Sequence, residues 1–389
     1  MTQALERRPP VASLVGEQIP VRCVLMRGGT SKAVFLRASD LPADPVLRDR
    51  LILALFGSPD PRQIDGLGGA DILTSKVAII GPPARPDADV TYTFGQVSIT
   101  EPVIDYDINC GNISAAVGVY AIEEGFVRPV EPLTSVRVYN TNTDKVYTAL
   151  VPVRGHRPAV EGDCAIDGVP GSGAEILLDF ATAAGATTGR LLPTGQVRDA
   201  LEVAGVGRLE VTIVDVANLC VFFPAAAVGM RGTEGPGDFT AGMLQAMVAV
   251  KEAAAERLGL SRDGLVPLPV AVAPPAAFTT FQGAPIDAGA ADLLVRLAGG
   301  RPPMLHKAFP GTAAACAAVA AVLPGSVPGA LARVREGGRV ALGHPSGLMR
   351  VAAELHHDPD GGWRVVRATY ARTARRLMEG YAFVRRDRL

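Results

Sequence analysis

The sequence predicts an α+β protein made of two similar, strand-rich halves, each with a helix of small residues opened by a glycine turn. Glycine (43) and proline (31) are frequent among the 389 residues, which imposes many turns and therefore many short strands rather than a helical bundle. Apolar or alternating runs of strand length recur along the chain, as in Ser75-Lys76-Val77-Ala78-Ile79-Ile80. Cys110-Gly111-Asn112-Ile113-Ser114-Ala115-Ala116-Val117 has a counterpart 200 residues on (310 − 110) in Pro310-Gly311-Thr312-Ala313-Ala314-Ala315-Cys316-Ala317. Each is a glycine-containing turn opening a small-residue helix with strands on both sides. A hydrophobic content of 48% is ample for real cores, and the length points to two or three domains.

In chain order, residues 1–18 read as a disordered lead. Strands follow at 19–25 and 33–36 around the loop Met26-Arg27-Gly28-Gly29-Thr30-Ser31-Lys32, and then a helix at 45–56. A glycine loop at 66–71 feeds the buried strand 75–80, and 90–97 alternates as a strand. After the Cys110 helix come strands near 136–139, 146–153 and 175–178. The small-residue cluster 185–189 separates a first domain, 19–187, from a second, 188–376. The second holds strands at 209–214, 220–223, 266–273 and 340–342, and a helix at 243–258 that stops at Gly259. Asp358-Pro359-Asp360-Gly361-Gly362 reads as a hairpin turn between strands 348–355 and 363–372.

Bulk properties exclude several classes. A net charge of −1 and 5% aromatic residues supply neither a basic field nor stacking platforms for nucleic acid, and no field for an anionic membrane. The uncharged run 308–332 is broken by Pro310, Pro324 and Pro328, so it reads as a buried helix with loops rather than a membrane span. Residues 1–10 lack the apolar segment of a secretory signal. Five dispersed cysteines with no C-x-x-C pair suit a reducing cytoplasm and no metal. His356, His357, Asp358 and Asp360 share a hairpin tip where adjacent side chains diverge, poor geometry for a metal.

Chemistry concentrates at Asn109-Cys110-Gly111-Asn112. A helix start carries partial positive charge and free N–H groups, which lower a thiol pKa and grip carboxylates. Gly111 would let a ligand approach the backbone. Two such starts facing one cleft would hold two carboxylates of one substrate.

Seven motifs in order carry a resemblance: Arg27-Gly28-Gly29-Thr30-Ser31-Lys32, Gly57-Ser58-Pro59-Asp60, Gln63-Ile64-Asp65-Gly66-Leu67-Gly68-Gly69, Thr74-Ser75-Lys76-Val77, Asn109-Cys110-Gly111-Asn112, His344-Pro345-Ser346-Gly347 and 372–380. Over about 19–384 the chain resembles the PrpF family of 2-methylaconitate cis-trans isomerases, with 4-oxalomesaconate tautomerases and methylitaconate Δ-isomerases as relatives. The resemblance implies a diaminopimelate-epimerase-like fold. That is two similar domains, each a curved, mostly antiparallel sheet around a central helix, with the active site between them. The last strand, 377–389, would return to the first domain. The family's catalytic lysine and cysteine fall on Lys76 and Cys110. Its substrate-binding positions fall on Thr30, Ser31, Asn109, Gly111, Asn112, Gly311, Thr312 and Ser346.

The implied activity is an allylic 1,3-proton shift in an unsaturated di- or tricarboxylate, needing no metal or redox cofactor. A free lysine, with a pKa of about 10.4, must be desolvated or set near positive charge to act as base. The apolar run after Lys76 suits that role, and equally suits a lysine snorkelling from a strand end. Cys110 would be the partner acid, or the thiolate base in reverse. Arg27 and Lys32 read as partners for substrate carboxylates or as ordinary surface charges. Pro310 stands where two-thiol epimerases of the superfamily carry a second cysteine, which disfavours an amino-acid epimerase or racemase. Cys316 reads as structural. A non-catalytic tricarboxylate-binding protein is the other alternative. The natural substrate, the reaction direction and the oligomeric state, a homodimer among the options, stay open.

Overall fold

A computed structural model describes residues 16–106, 109–300, 303–359 and 361–389. Most of the expected lead, together with Asp360, lies outside the described residues.

The first lobe opens with a hairpin of β1 (Gln18–Gly28) and β2 (Ser31–Arg37). Helix α1 (Pro45–Phe56) then carries the chain over to β3 (Lys76–Gly81), parallel to β2, and β4 (Val90–Val97) returns antiparallel. Helix α2 (Gly111–Glu123) leads to β5 (Leu133–Asn140), parallel to β4, followed antiparallel by β6 (Lys145–Arg154) and β7 (Ile176–Asp179).

The second lobe repeats that pairing step for step. Its hairpin is β8 (Gly207–Val216) with β9 (Asn218–Pro224), and α3 (Ala241–Arg257) crosses to the parallel β10 (Leu268–Ala273). Antiparallel β11 (Leu293–Gly299), central helix α4 (Gly311–Val322) and parallel β12 (Arg339–His344) follow, then antiparallel β13 (Gly347–His357) and β14 (Trp363–Arg372). The internal repeat read from two helix starts therefore extends through every main strand. β11, with Arg296 inside an apolar run, escapes the sequence reading.

Two strand pairings join the lobes into one sheet. β14 pairs with β7, fusing both curved sheets into one, and β15 (Ala374–Arg385) returns to pair with β1 along its whole length. Alternation sets what each face meets. Val24, Met26, Phe35, Ala78, Ile80, Tyr92 and Phe94 point inward onto α2, while Val34, Leu36, Val77 and Ile79 point outward beneath α1. The central helices are apolar all round because a sheet surrounds them. They are built of small residues because the sheet comes close: a Cβ on Gly118 would lie 2.9 Å from both Ala149 and Val151. Among the described residues no helix is long and apolar enough to cross a membrane. Cys316 is fully buried inside α4, its thiol donating to the Val214 carbonyl at 3.3 Å.

Glu124, at the C-terminus of α2, ties that helix to three strands. Its carboxylate accepts from Arg22 of β1 (2.7 Å), Arg37 of β2 (2.6 Å) and Arg376 of β15 (2.8 Å). Burial pushes the carboxyl pKa up, but the three guanidinium bonds outweigh it and bring it down from 4.5 to about 2. A depressed carboxyl contributes stability that is full above 4.5 and is lost as pH falls toward 2. Glu124→Gln should flatten this acid limb in urea melts across that window; an unchanged limb would remove Glu124 as its source.

Candidate active site

The site begins where the two central helices meet end to end. A Cβ on Gly111 would lie 3.4 Å from the Gly311 Cα and 2.5 Å from the Tyr370 hydroxyl, and one on Gly311 would overlap the Tyr370 ring. Tyr370, fully buried on β14, thus fills the space both glycines leave, and its hydroxyl donates to the Gly111 carbonyl at 3.1 Å. The missing Cβ at Gly111 serves this packing of helix against helix, not only the approach of a ligand.

How each helix is capped separates the central pair from the outer pair. Asp44 caps α1 by accepting from the Val46 N–H, and Thr240 caps α3 by accepting from the Met243 N–H. The N-caps of α2 and α4 are Cys110 and Pro310, and neither gives its helix a side-chain cap. Two positive helix ends with uncapped first turns therefore converge at the lobe junction, which is a setting for anions.

The first lobe carries Lys76 and Ser31 on its inner face, and Thr30 and Asn109 bonded about the start of α2. Lys76 opens β3 on the same face as Ala78 and Ile80, and is 6% exposed. Its amine donates to Gln96 Oε1 at 2.5 Å and lies 5.2 Å from the Phe94 ring centroid, with no carboxylate paired to it among the described residues. Ser31, 2% exposed on the inner face of β2, has a hydroxyl without a hydrogen-bond partner among the described residues. A buried orphan hydroxyl is costly in an unliganded protein. Thr30 accepts from Asn112 Nδ2 at 2.9 Å, which pins the β1–β2 turn to the first turn of α2. Gly28 touches that same turn: a Cβ there would lie 2.5 Å from the Asn112 carbonyl. Asn109 Oδ1 accepts from the Cys110 N–H (2.7 Å) and from Asn140 Nδ2 (3.0 Å), fixing the approach to the helix.

The second lobe mirrors part of this. Asn218, the first residue of β9, donates to Thr312 Oγ1 at 2.6 Å, the counterpart of the Thr30–Asn112 bond. Ser346 makes its contacts within its own lobe: its hydroxyl donates to the Lys307 carbonyl and its N–H to His344 Nδ1 at 3.2 Å. Burial, with the charges of Arg372, Arg296 and His306, takes His344 down to about 3, so its imidazole is neutral and free to accept that bond. A narrow crevice lined by Asn109, Lys145 and Tyr147 from one lobe and Ala217 and Thr312 from the other runs beside the helix starts.

Arg372 is the residue that sequence reasoning missed. It is 7% exposed at the end of β14. Its Nε donates to Asn112 Oδ1 (2.9 Å), Nη1 to the Ala371 carbonyl (2.9 Å) and Nη2 faces only the Met349 sulfur (3.4 Å). No carboxylate pairs with it among the described residues. Burial lowers its pKa, yet a guanidinium stays charged, and its charge is met at the lobe junction by the Tyr370 ring, 5.0 Å away, and by no anion among the described residues. The apparent hairpin-tip cluster lies elsewhere: His357 packs edge-on against Trp363, and His356 faces Asp358 at 3.6 Å.

A family profile described as PrpF protein matches residues 18–385. The chain belongs to the PrpF family. This member is 46% identical to a protein named 3-methylitaconate isomerase from Eubacterium barkeri, covering 96% of this chain and 100% of the relative. It is 40% identical to a (4E)-oxalomesaconate Delta-isomerase from Novosphingobium sp. (strain KA1), over 93% and 97% of the two chains. The crystal structure of a methylitaconate-delta-isomerase superposes with a TM-score of 0.87 at 46% identity, covering 96% of this PrpF chain and 97% of that one. A hydroxyproline epimerase from Agrobacterium vitis, 12% identical with a TM-score of 0.53 over 94% and 93% of the chains, shares the fold alone. The epimerase-like α+β architecture expected from the motifs is the one this family member adopts.

Proposed function

We propose that this PrpF protein is an isomerase of a small unsaturated di- or tricarboxylate, moving a proton across three carbons between Lys76 and Cys110. The observation that carries the reading is a buried amine, unpaired with any carboxylate among the described residues, on the inner face of the lobe whose central helix has a cysteine at its N-cap position. Relatives named for isomerising 3-methylitaconate and oxalomesaconate support that substrate class.

In the proposed reaction, substrate carboxylates occupy the uncapped first turns of α2 and α4, with Ser31, Thr30, Asn109, Asn112, Thr312 and Ser346 around them. Lys76 takes the proton from the carbon γ to a carboxylate. The electron pair left behind delocalises into a dienolate, and Cys110 protonates the other end, which moves the double bond or frees it to rotate. N–H groups of Gly111, Asn112 and Thr312 stabilise the developing charge in a desolvated junction. The reverse reaction exchanges the roles of amine and thiol. Arg372 supplies a fixed positive charge beneath Asn112 that an anionic substrate offsets. Pro310 has no proton to exchange, so a two-thiol racemase is disfavoured. We place the activity in the cytoplasm, in keeping with five cysteines that are all free.

The test is incubation of pure protein with methylaconitate, methylitaconate, oxalomesaconate and amino acids in D₂O, followed by proton NMR. Deuterium should enter at an allylic carbon of one unsaturated acid as its double bond moves. Exchange only at an amino-acid α-carbon would replace this reading with an epimerase.

A further inference from the structure

A second cavity lies on the other face of β1 from the Lys76 site. It is open to solvent, has a volume of about 510 Å³ and is lined by Arg27, Thr373, the exposed Arg375 and residues of the glycine-rich stretches 160–162 and 169–173. Arg27 faces away from α2, because its neighbours Met26 and Gly28 are the ones that point inward.

The strand register makes this floor unusual. Arg27 of β1 lies directly opposite Arg375 of β15 on one side and Lys32 of β2 on the other. Like charges placed directly opposite across strands repel, and sheets ordinarily avoid them. None of the three is in an ion pair among the described residues, and Glu161 lines the same cavity without pairing with either arginine. Arg27 uses only Nη1, which donates to the Gly29 and Thr373 carbonyls, both at 2.9 Å. Its Nε and Nη2 make no bond among the described residues. Burial and the neighbouring Arg375 charge both lower the Arg27 pKa, as expected for cations crowded together without an anion.

We propose that this cavity is a second anion site, in which Arg27 and Arg375 together clamp one small oxyanion bearing two or more negative charges. Paired planar guanidinium forks match that chemistry better than any neutral ligand would. A polycarboxylate and inorganic phosphate both present it. The roof also touches the reaction cleft. A Cβ on Gly168 would lie 3.3 Å from the Thr30 methyl, and Asp167 accepts from the Leu348 N–H of the second lobe at 2.6 Å. Occupancy thus fastens a loop that bridges the lobes.

Calorimetry with tricarballylate, a saturated tricarboxylate that cannot react, tests the proposal; only the count of two, with one equivalent at the helix starts, rests on the isomerase reading, and one equivalent in wild type with none in the variants would keep this site and remove that one. Wild-type protein should bind two equivalents. Arg375→Gln and Arg27→Gln should each bind one, with affinity at the lost site weakened about tenfold or more. Phosphate heat that disappears in both variants assigns the site to oxyanions generally, and no phosphate heat in wild type assigns it to polycarboxylates. In anion-free buffer Arg375→Gln should melt no lower than wild type, since it relieves a like-charge contact. Unchanged stoichiometry and affinity in both variants, or a lower melting temperature for Arg375→Gln in that buffer, overturns the proposal.

Discussion

Lys76→Ala should reduce turnover by about 10²–10⁴-fold, the range for loss of a positioned proton-transfer group. The surrounding structure should tolerate the change. Gln96, which accepts from the amine, is also held by its own Nε2 bonds to the Ser75 carbonyl (2.8 Å) and the Ile72 carbonyl (3.2 Å), so its orientation survives. Cys110→Ala should lose activity on the same scale. The helix pays nothing as a cap, because the thiol makes no capping bond to α2. Both variants should keep the wild-type melting temperature within a few degrees while losing deuterium incorporation. Near-normal turnover in either would remove that residue from the proton path.

Arg372 carries the second large effect. A buried guanidinium that faces a thioether, an amide and the Tyr370 ring, with no carboxylate partner among the described residues, suits an anion. Arg372→Gln should raise KM for a polyanionic substrate about tenfold to hundredfold, matching the ~1.5–3 kcal/mol of a hydrogen bond to a charged group. Arg372→Lys should recover part of this by restoring charge without the fork. Asn112→Ala should give a similar rise, and the double variant less than the sum, because Arg372 bonds Asn112 Oδ1. A fall in melting temperature with KM unchanged would make Arg372 a packing residue only.

Much of this architecture is legible in the sequence for a definite reason. Glycine turns before runs of alanine and valine mark helices that must be small because a sheet encloses them, and Gly118 against Ala149 and Val151 shows how tight that enclosure is. The alternation of 90–97 likewise gives β4 with its inner and outer faces. What stays hidden depends on partners distant in the chain. Arg372 stands 260 residues from Asn112, and nothing in its neighbours signals that the fold leaves it unpaired. Asn218 is equally silent, because its meaning comes from Thr312, 94 residues away. β11 is missed because Arg296 interrupts its apolar run; the side chain is accommodated by carbonyls of Glu234, Val295 and Gly343.

The pairing of the opening strand with β15 fixes an order of assembly during synthesis. Every strand from β8 to β14 is available once residue 372 has left the ribosome, whereas β1 keeps one flank bare until Ala374–Arg385 emerges. The half made first must therefore finish second, with a nascent hairpin that waits for the final stretch of polypeptide before it can be sealed.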